Sequence, residues 1–207
     1  MTVTTVGQDS DLLVDLAADL DGSFHRLVLA HQDRLYGFAL RLSGNSQDAE
    51  EIAQDAFVRG YRALKEYEPE RVRSLAVGPW LHRIALNAFR NRYRRKAHPM
   101  VPLSGGEEDG SPELELRDGA AVQPEVVAER AEERARLVGL LAALPEGYRV
   151  AVVLRHVQGL PYGEVAELLG VPVGTAKARV HRGLKLLRAG LERAERGELV
   201  GRRCADG

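Results

Sequence analysis

The sequence predicts an all-α protein: two small helical domains, the second carrying a helix-turn-helix, joined by a flexible acidic linker. Three observations predict it. Ala, Leu, Arg and Glu are abundant, aromatics make up only 5%, and no alternating run of Ile, Val, Tyr or Phe suggests a sheet. Apolar residues recur at three- and four-residue spacing through most of residues 23–195. At 97–124 that periodicity gives way to a stretch rich in Pro, Gly and acids, HPMVPLSGGEEDGSPELELRDGAAVQP, which divides the 207 residues into two blocks of domain size.

Composition narrows the function classes. The formal net charge is −1, so a nucleic-acid binder of this composition must segregate its charge, and the chain does. Cys204 is the single cysteine, so no internal disulfide is possible. The histidines at 25, 31, 82, 98, 156 and 181 show no metal-ligand spacing, and no cofactor is expected. There is no signal peptide and no apolar run of about 18 residues, so the expected location is the cytoplasm, without membrane insertion. No paired-carboxylate metal motif, phosphate-binding loop or Ser/Cys nucleophile with a partner histidine stands out, which argues against an enzyme.

Residues 1–22 form an acidic, weakly amphipathic arm. Leu12, Leu16 and Leu20 could line one side of a short helix, or the segment could stay mobile. From Ser23 to Leu42, Phe24, Leu27, Val28, Leu35, Phe38, Ala39 and Leu42 recur at helical spacing. SGNSQ ends that helix, with Gly44 as the stop and Asn45 or Ser46 as the next N-cap. From Gln47 to about Tyr67, Ala49, Ile52, Ala53, Ala56, Gly60 and Leu64 mark an inner face. The acids in its first turns suit the helix dipole. Charge alone favours a solvated face there, with a docking surface as the sharper alternative.

EPERVRSLAVGP, 68–79, reads as a loop. WLHRIALNAFRNRYRRK, 80–96, reads as a third helix. Leu81, Ile84, Ala85 and Ala88 form one face; Arg83, Asn87, Arg90, Asn91, Arg94, Arg95 and Lys96 form most of the rest, interleaved with Trp80, Phe89 and Tyr93. Cations neutralise phosphates, while Asn and exposed aromatics can bond or stack on unpaired bases. Dipole complementation would explain residues 94–96 but not Arg83, Asn87 or Arg90.

After the linker, residues 125–143 form a helix with Val126, Val127, Leu137, Leu140, Leu141 and Leu144 on its apolar side. Pro145 opens a helix over 146–157, with Arg149 near its start, where a phosphate contact is geometrically reasonable. PYGEVAELL, GVPVG and TAKARVHRGLKLLR then read as supporting helix, glycine-bearing turn and basic recognition helix. Gly170 is the expected left-handed cap and Thr175 the expected N-cap. A 3.6-residue period turns Ala176, Val180, Gly183, Leu184 and Leu187 inward. Thr175, Ala178, His181, Arg182, Lys185 and Arg188 face outward, flanked by Lys177 and Arg179. Residues 196–207 are a polar tail.

Three stretches in order, SGNSQDAEEIAQDAFVRGYRAL, WLHRIALNAFRNRYRRK and LPEGYRVAVVLRHVQGLPYGEVAELLGVPVGTAKARVHRGL, resemble a bacterial sigma-70-type RNA polymerase sigma factor of the extracytoplasmic function (ECF) group. The resemblance covers roughly residues 20–195. It implies a second sigma domain at 23–96, an acidic linker at 97–124 and a fourth sigma domain at 125–195. Asp48, Glu51, Gln54, Asp55 and Arg59 would then dock on the clamp helices of the largest polymerase subunit, and the flap of the second-largest subunit would be a further partner. Asn87, Arg90, Asn91, Arg94 and Arg95 would take the −10 element as unpaired bases, with Trp80 packed in the core. Lys177, Ala178, Arg179, His181 and Arg182 would lie at the duplex −35 element, with Arg149 and Thr175 on phosphates. The linker would thread the polymerase towards its cleft. The resemblance further implies an anti-sigma partner and a place at the nucleoid. Three departures stand out: Ala178 where many relatives have serine, Pro161 in place of a Ser/Thr N-cap, and Gly163 within the supporting helix. The alternative function is a stand-alone helix-turn-helix regulator.

Overall fold

The structure is a computed structural model that describes residues 5–97 and 124–205, with side chains described over 11–94, 131–194 and at Arg196. The linker at 98–123 and the last two residues of the tail lie outside the described residues. The elements are α1 (Thr5–Ala18), α2 (Leu20–Ser43), α3 (Ser46–Lys65), α4 (Pro69–Arg73), α5 (Val77–Ala97), α6 (Pro124–Ala142), α7 (Glu146–Val152), a π-helical turn (Val153–Val157), α8 (Tyr162–Leu169) and α9 (Val173–Ala205). No strand occurs among the described residues, in agreement with the all-α reading.

Contacts divide the chain into two compact units. The first takes α1, α2 as far as Ala39, α3 from Glu50, α4 and α5. The second takes the corner Leu40–Ala49 and the helices from Pro124 onward.

In the first unit the heptad-like spacing of apolar residues produces one buried core. Leu27, Leu35 and Phe38 from α2 join Ile52, Ala53, Ala56 and Leu64 from α3, and Leu81, Ala85, Leu86, Ala88 and Phe89 from α5. Burying each large member stabilises by about 1.5–3 kcal/mol. The N-terminal arm resolves as helix: Leu12, Leu13 and Leu16 of α1 are buried, and α1 packs on α4, whose own buried residue is Val72. The expected 68–79 loop therefore contains α4 and the first turn of α5. At the α2–α3 corner Gly44 has φ +83°, the left-handed region that glycine adopts without strain. Asn45 is the N-cap of α3, its Oδ1 accepting from the Asp48 N–H at 2.8 Å while its Nδ2 donates to the Asp48 carboxylate.

The second unit packs Leu141 and Leu144 with Val150–Leu154, Val165 and Ala166 of α8, and Ala176 and Val180 of α9. Two residues expected inside are not: Leu137 and Leu184 are 44% and 37% exposed. Both sit at the margin of the apolar stripe, where a few degrees of helix rotation decide burial. Val126 and Val127 lie outside the described side chains.

His82 of α5 is set edge-on to Phe38, ring centroids 4.7 Å apart, and its Nε2 is buried without a hydrogen-bond partner. Burial, with His31 and Arg34 nearby, lowers its pKa from 6.5 to about 4, against a smaller opposing effect of its hydrogen bond to Gly78. The unfolded chain binds the proton near 6.5 and the folded chain only near 4, so this stabilisation is complete above the higher value and is lost as pH falls through the window. Urea denaturation at pH 7 and pH 4 is expected to differ by on the order of 3 kcal/mol from this residue. His82→Gln should flatten that part of the curve; an unchanged slope in the variant would contradict the assignment.

Candidate nucleic-acid interface

The first cationic surface is built on α5. Leu81, Ala85, Leu86, Ala88 and Phe89 commit one side of the helix to the core, so the polar residues must share the other. Asn87 and Arg94 are exposed, Arg90 and Asn91 half-buried, and with Arg83 they form one stripe at three- and four-residue spacing. Arg94 donates to Asn91 Oδ1 at 3.0 Å, which aligns the two side chains. The Arg95 side chain lies outside the described residues. Phe89, counted among the interleaved aromatics, is buried and cannot stack on a base; Tyr93, 5.2 Å from it, remains exposed at the rim. Trp80 is half-buried. It lies against Gly60, where a Cβ would come within 3.3 Å of the indole, and its ring centroid is 6.3 Å from that of Tyr67. Arg71 of α4 in turn lies over the Tyr67 ring, 3.7 Å from its centroid.

The polar face of α3 is more internally engaged than its charge suggests. Asp48 is occupied in the N-cap exchange with Asn45, and Glu51 accepts from Arg92, which ties α3 to α5. Asp55 pairs with Arg59 one turn on at 2.7 Å, and that hydrogen bond raises the Arg59 pKa above its ordinary value. Gln54 is exposed, and beside it at i+4 stands the exposed Val58, an apolar contribution to this face that the acidic pattern hid.

The second cationic surface is the helix-turn-helix. Pro161 holds the N-cap position of α8 with no side-chain cap bond, as its chemistry requires. Gly170 closes α8 in the left-handed conformation (φ 64°, ψ 40°), and the Val171 N–H returns to the Ala166 carbonyl at 3.0 Å. The recognition helix begins at Val173, with the Ala176 N–H bonded to the Pro172 carbonyl. Thr175 is therefore in the first turn and is not the N-cap.

Ala176, Val180 and Gly183 are buried against α7 and α8, and Thr175, Lys177, Ala178, His181 and Arg182 are exposed. Lys185 and Arg188 continue that row. Arg179 is half-buried, its guanidinium over the start of α7, where a Cβ on Gly147 would be 3.9 Å away. Gly183 is the point of closest approach: a Cβ there would lie 2.5 Å from Val152 Cγ2 and 3.3 Å from the Tyr148 carbonyl oxygen.

Arg149 does not join this row. It is 3% exposed, and its guanidinium donates to the carbonyls of Leu42 at 2.6 Å and Leu144 at 3.3 Å. Turned onto backbone oxygens, it is not offered to a phosphate. Arg155, from the preceding turn, lies over the Tyr162 ring at 4.9 Å, with Lys177 over the same ring at 5.7 Å. No metal-ligand cluster occurs among the described residues, and no described helix is long and apolar enough to cross a membrane.

Comparison with known proteins places both surfaces in matched segments. Residues 27–98 match Sigma-70 region 2, and residues 134–187 match Sigma-70, region 4. The chain is 36% identical over 166 residues to the ECF RNA polymerase sigma factor SigE of Mycolicibacterium smegmatis, covering 80% of this chain and 60% of that one. It is 32% identical over 175 residues to the ECF RNA polymerase sigma factor SigW of Bacillus subtilis, covering 80% and 87%. Among solved structures, CnrH in complex with the cytosolic domain of CnrY aligns with a TM-score of 0.58 at 27% identity, over 89% of this chain and 97% of that one. The sigma factor RpoE of Bartonella quintana, solved with the anti-sigma factor NepR, shares the fold (TM-score 0.55, 22% identity, 82% and 96% covered).

The close approach at Gly183 predicts opposite outcomes for two glycines of one helix. Gly183→Ala must displace Val152 or the α7 backbone and should destabilise the chain by about 1–2 kcal/mol despite alanine's better helix propensity. Gly174→Ala adds a methyl that meets nothing within 4 Å and should be neutral or stabilising by up to about 1 kcal/mol. Equal stabilisation by both, measured by chemical denaturation, would contradict this packing.

Proposed function

The chain belongs to the sigma-70 family, among its ECF RNA polymerase sigma factors, and from this we propose that its two cationic helices divide promoter reading between them. The protein binds core RNA polymerase and directs it to promoters for transcription initiation. It supplies specificity and contributes no catalysis of its own, acting in the cytoplasm at the nucleoid. The observation that carries the division is that each family segment holds one helix with an apolar side in the core and a cationic row exposed.

The row on α9 suits duplex DNA. A recognition helix enters the major groove with its N-terminal residues at the base edges, where Thr175, Lys177, Ala178, His181 and Arg182 stand. Arginine can bond guanine O6 and N7 in a bidentate manner, a contact worth about 1–3 kcal/mol of discrimination. Ala178 offers a methyl and no hydroxyl, so it favours an apolar edge such as a thymine methyl. Arg179, half over α7, is suited to the phosphate edge of the groove.

The stripe on α5 suits the opened −10 strand. Asn87 and Asn91 carry both donors and acceptors for base edges, and Arg90 and Arg94 supply backbone charge. Gln54, Asp55 and Arg59, together with Val58, form the part of α3 best placed to meet the clamp helices of the largest polymerase subunit. Asp48 and Glu51 act there chiefly by holding α3 and α5 in shape. The flap of the second-largest subunit is the expected contact of the second unit. An anti-sigma factor is the expected regulator: the Bartonella RpoE is solved with one, and CnrH is solved with the cytosolic domain of CnrY. A stand-alone helix-turn-helix regulator would leave the α5 stripe and the α3 face without a use.

Reconstitution with core RNA polymerase on a promoter library tests this. Promoter-specific transcripts are expected, and failure to bind core would overturn the reading. Within that assay Arg182→Ala should relax selection at one −35 position by about tenfold or more, the equivalent of one bidentate contact. Asn87→Ala should slow open-complex formation while −35 duplex binding survives. If both variants fail at the same step, the division is wrong.

A further inference from the structure

Two cations from two elements lie over one ring of a third at the edge of the helix-turn-helix. Tyr162 opens α8, directly after Pro161. The Arg155 guanidinium, from the π-helical turn, lies over its ring at 4.9 Å, and the Lys177 ammonium, from the first turns of α9, lies over it at 5.7 Å. Arg155 is itself held, its Nη1 donating to the Leu160 carbonyl at 3.2 Å. The ring is thus fixed to the backbone of the turn that precedes it, while Lys177 stands exposed on the row that faces outward.

We propose that Tyr162 is a positioning residue for the recognition helix, and that its ring, not its hydroxyl, orders Lys177 before DNA arrives. This rests on the reading of α9 as the duplex −35 contact. A lysine on a free surface loses much rotamer freedom when it binds, because its four-carbon stem is flexible. An aromatic face within about 6 Å of the ammonium restrains it by attraction to the ring quadrupole. A carboxylate could also restrain it, but a carboxylate would neutralise the charge and compete with phosphate. A ring leaves the full positive charge available.

The test uses the full chain with bacterial core RNA polymerase and a duplex bearing the −35 sequence enriched from the promoter library. Tyr162→Leu should weaken binding about three- to fivefold, as expected for loss of one exposed cation–π contact. Tyr162→Phe, which keeps the ring, should retain most of the affinity. In a Lys177→Ala background Tyr162→Leu should cost little more, because the residue acts through that lysine. A loss in Tyr162→Phe as large as in Tyr162→Leu, or an undiminished loss in the Lys177→Ala background, would overturn the proposal. Should Tyr162→Leu fold poorly, NMR of the wild-type and Tyr162→Phe chains decides the matter. Ring-current shifts on the Lys177 methylenes are expected in both, and shifts near random-coil values would overturn it. No duplex binding by the wild-type holoenzyme would instead remove the −35 reading itself.

Discussion

The close packing of α9 onto α7 at Gly183 is the constraint on which the second unit depends. A helix has one circumference to share between its partners and solvent. With Gly183 pressed against Tyr148 and Val152, and Ala176 and Val180 buried on the same side, the rotation of α9 about its axis is set. That rotation is what places Lys177, His181 and Arg182 outward together. A side chain larger than hydrogen at Gly183 would push the two helices apart or turn one of them, and the whole row would move with it. The outward placement of that row is therefore a consequence of a small residue in the core.

The first unit solves the same problem with larger side chains. Phe38, Phe89, Leu81 and Leu86 fill the space that the second unit closes with glycine and alanine. Here the outward stripe on α5 is steadied by a charge, because Arg92 reaches back to Glu51 on α3. The pair is partly exposed, so its contribution to stability is modest, on the order of 1 kcal/mol or less. Its consequence is geometric: the helix that would meet the polymerase and the helix that would meet the opened strand are joined side chain to side chain. α1 extends the unit by covering α4, the short helix that leads into α5.

Much of this was legible in the order of residues. Periodicity located the long helices from residue 23 onward, because burial on one side repeats every 3.6 residues whatever the partner, though α9 runs on to Ala205 through the expected tail. Gly44 and Gly170 marked their helix ends correctly, since a left-handed cap is a local demand. What the sequence hid depends on partners far away in the chain. Arg149 turns inward onto the carbonyl of Leu42, 107 residues earlier, and nothing near residue 149 announces it. Tyr162 gains meaning only once residues 155 and 177 converge on it. Thr175 has cap chemistry, yet the helix starts two residues earlier at Val173, where no side chain signals it. In sequence, residues 5–18 fit a loose arm as well as a packed helix, because three leucines on a short acidic segment suit either. The face of α4 decided between them.

The central claim is that one chain reads DNA in two states, duplex at α9 and unpaired at α5. Photo-crosslinkers at Arg188 and Arg94, at the edges of the two rows, test it most directly in a holoenzyme stalled before and after promoter opening. Crosslinks are expected from 188 to −35 duplex in both complexes, and from 94 to a single strand near −10 only after opening. Crosslinks from both positions to one duplex segment, unchanged by opening, would contradict it.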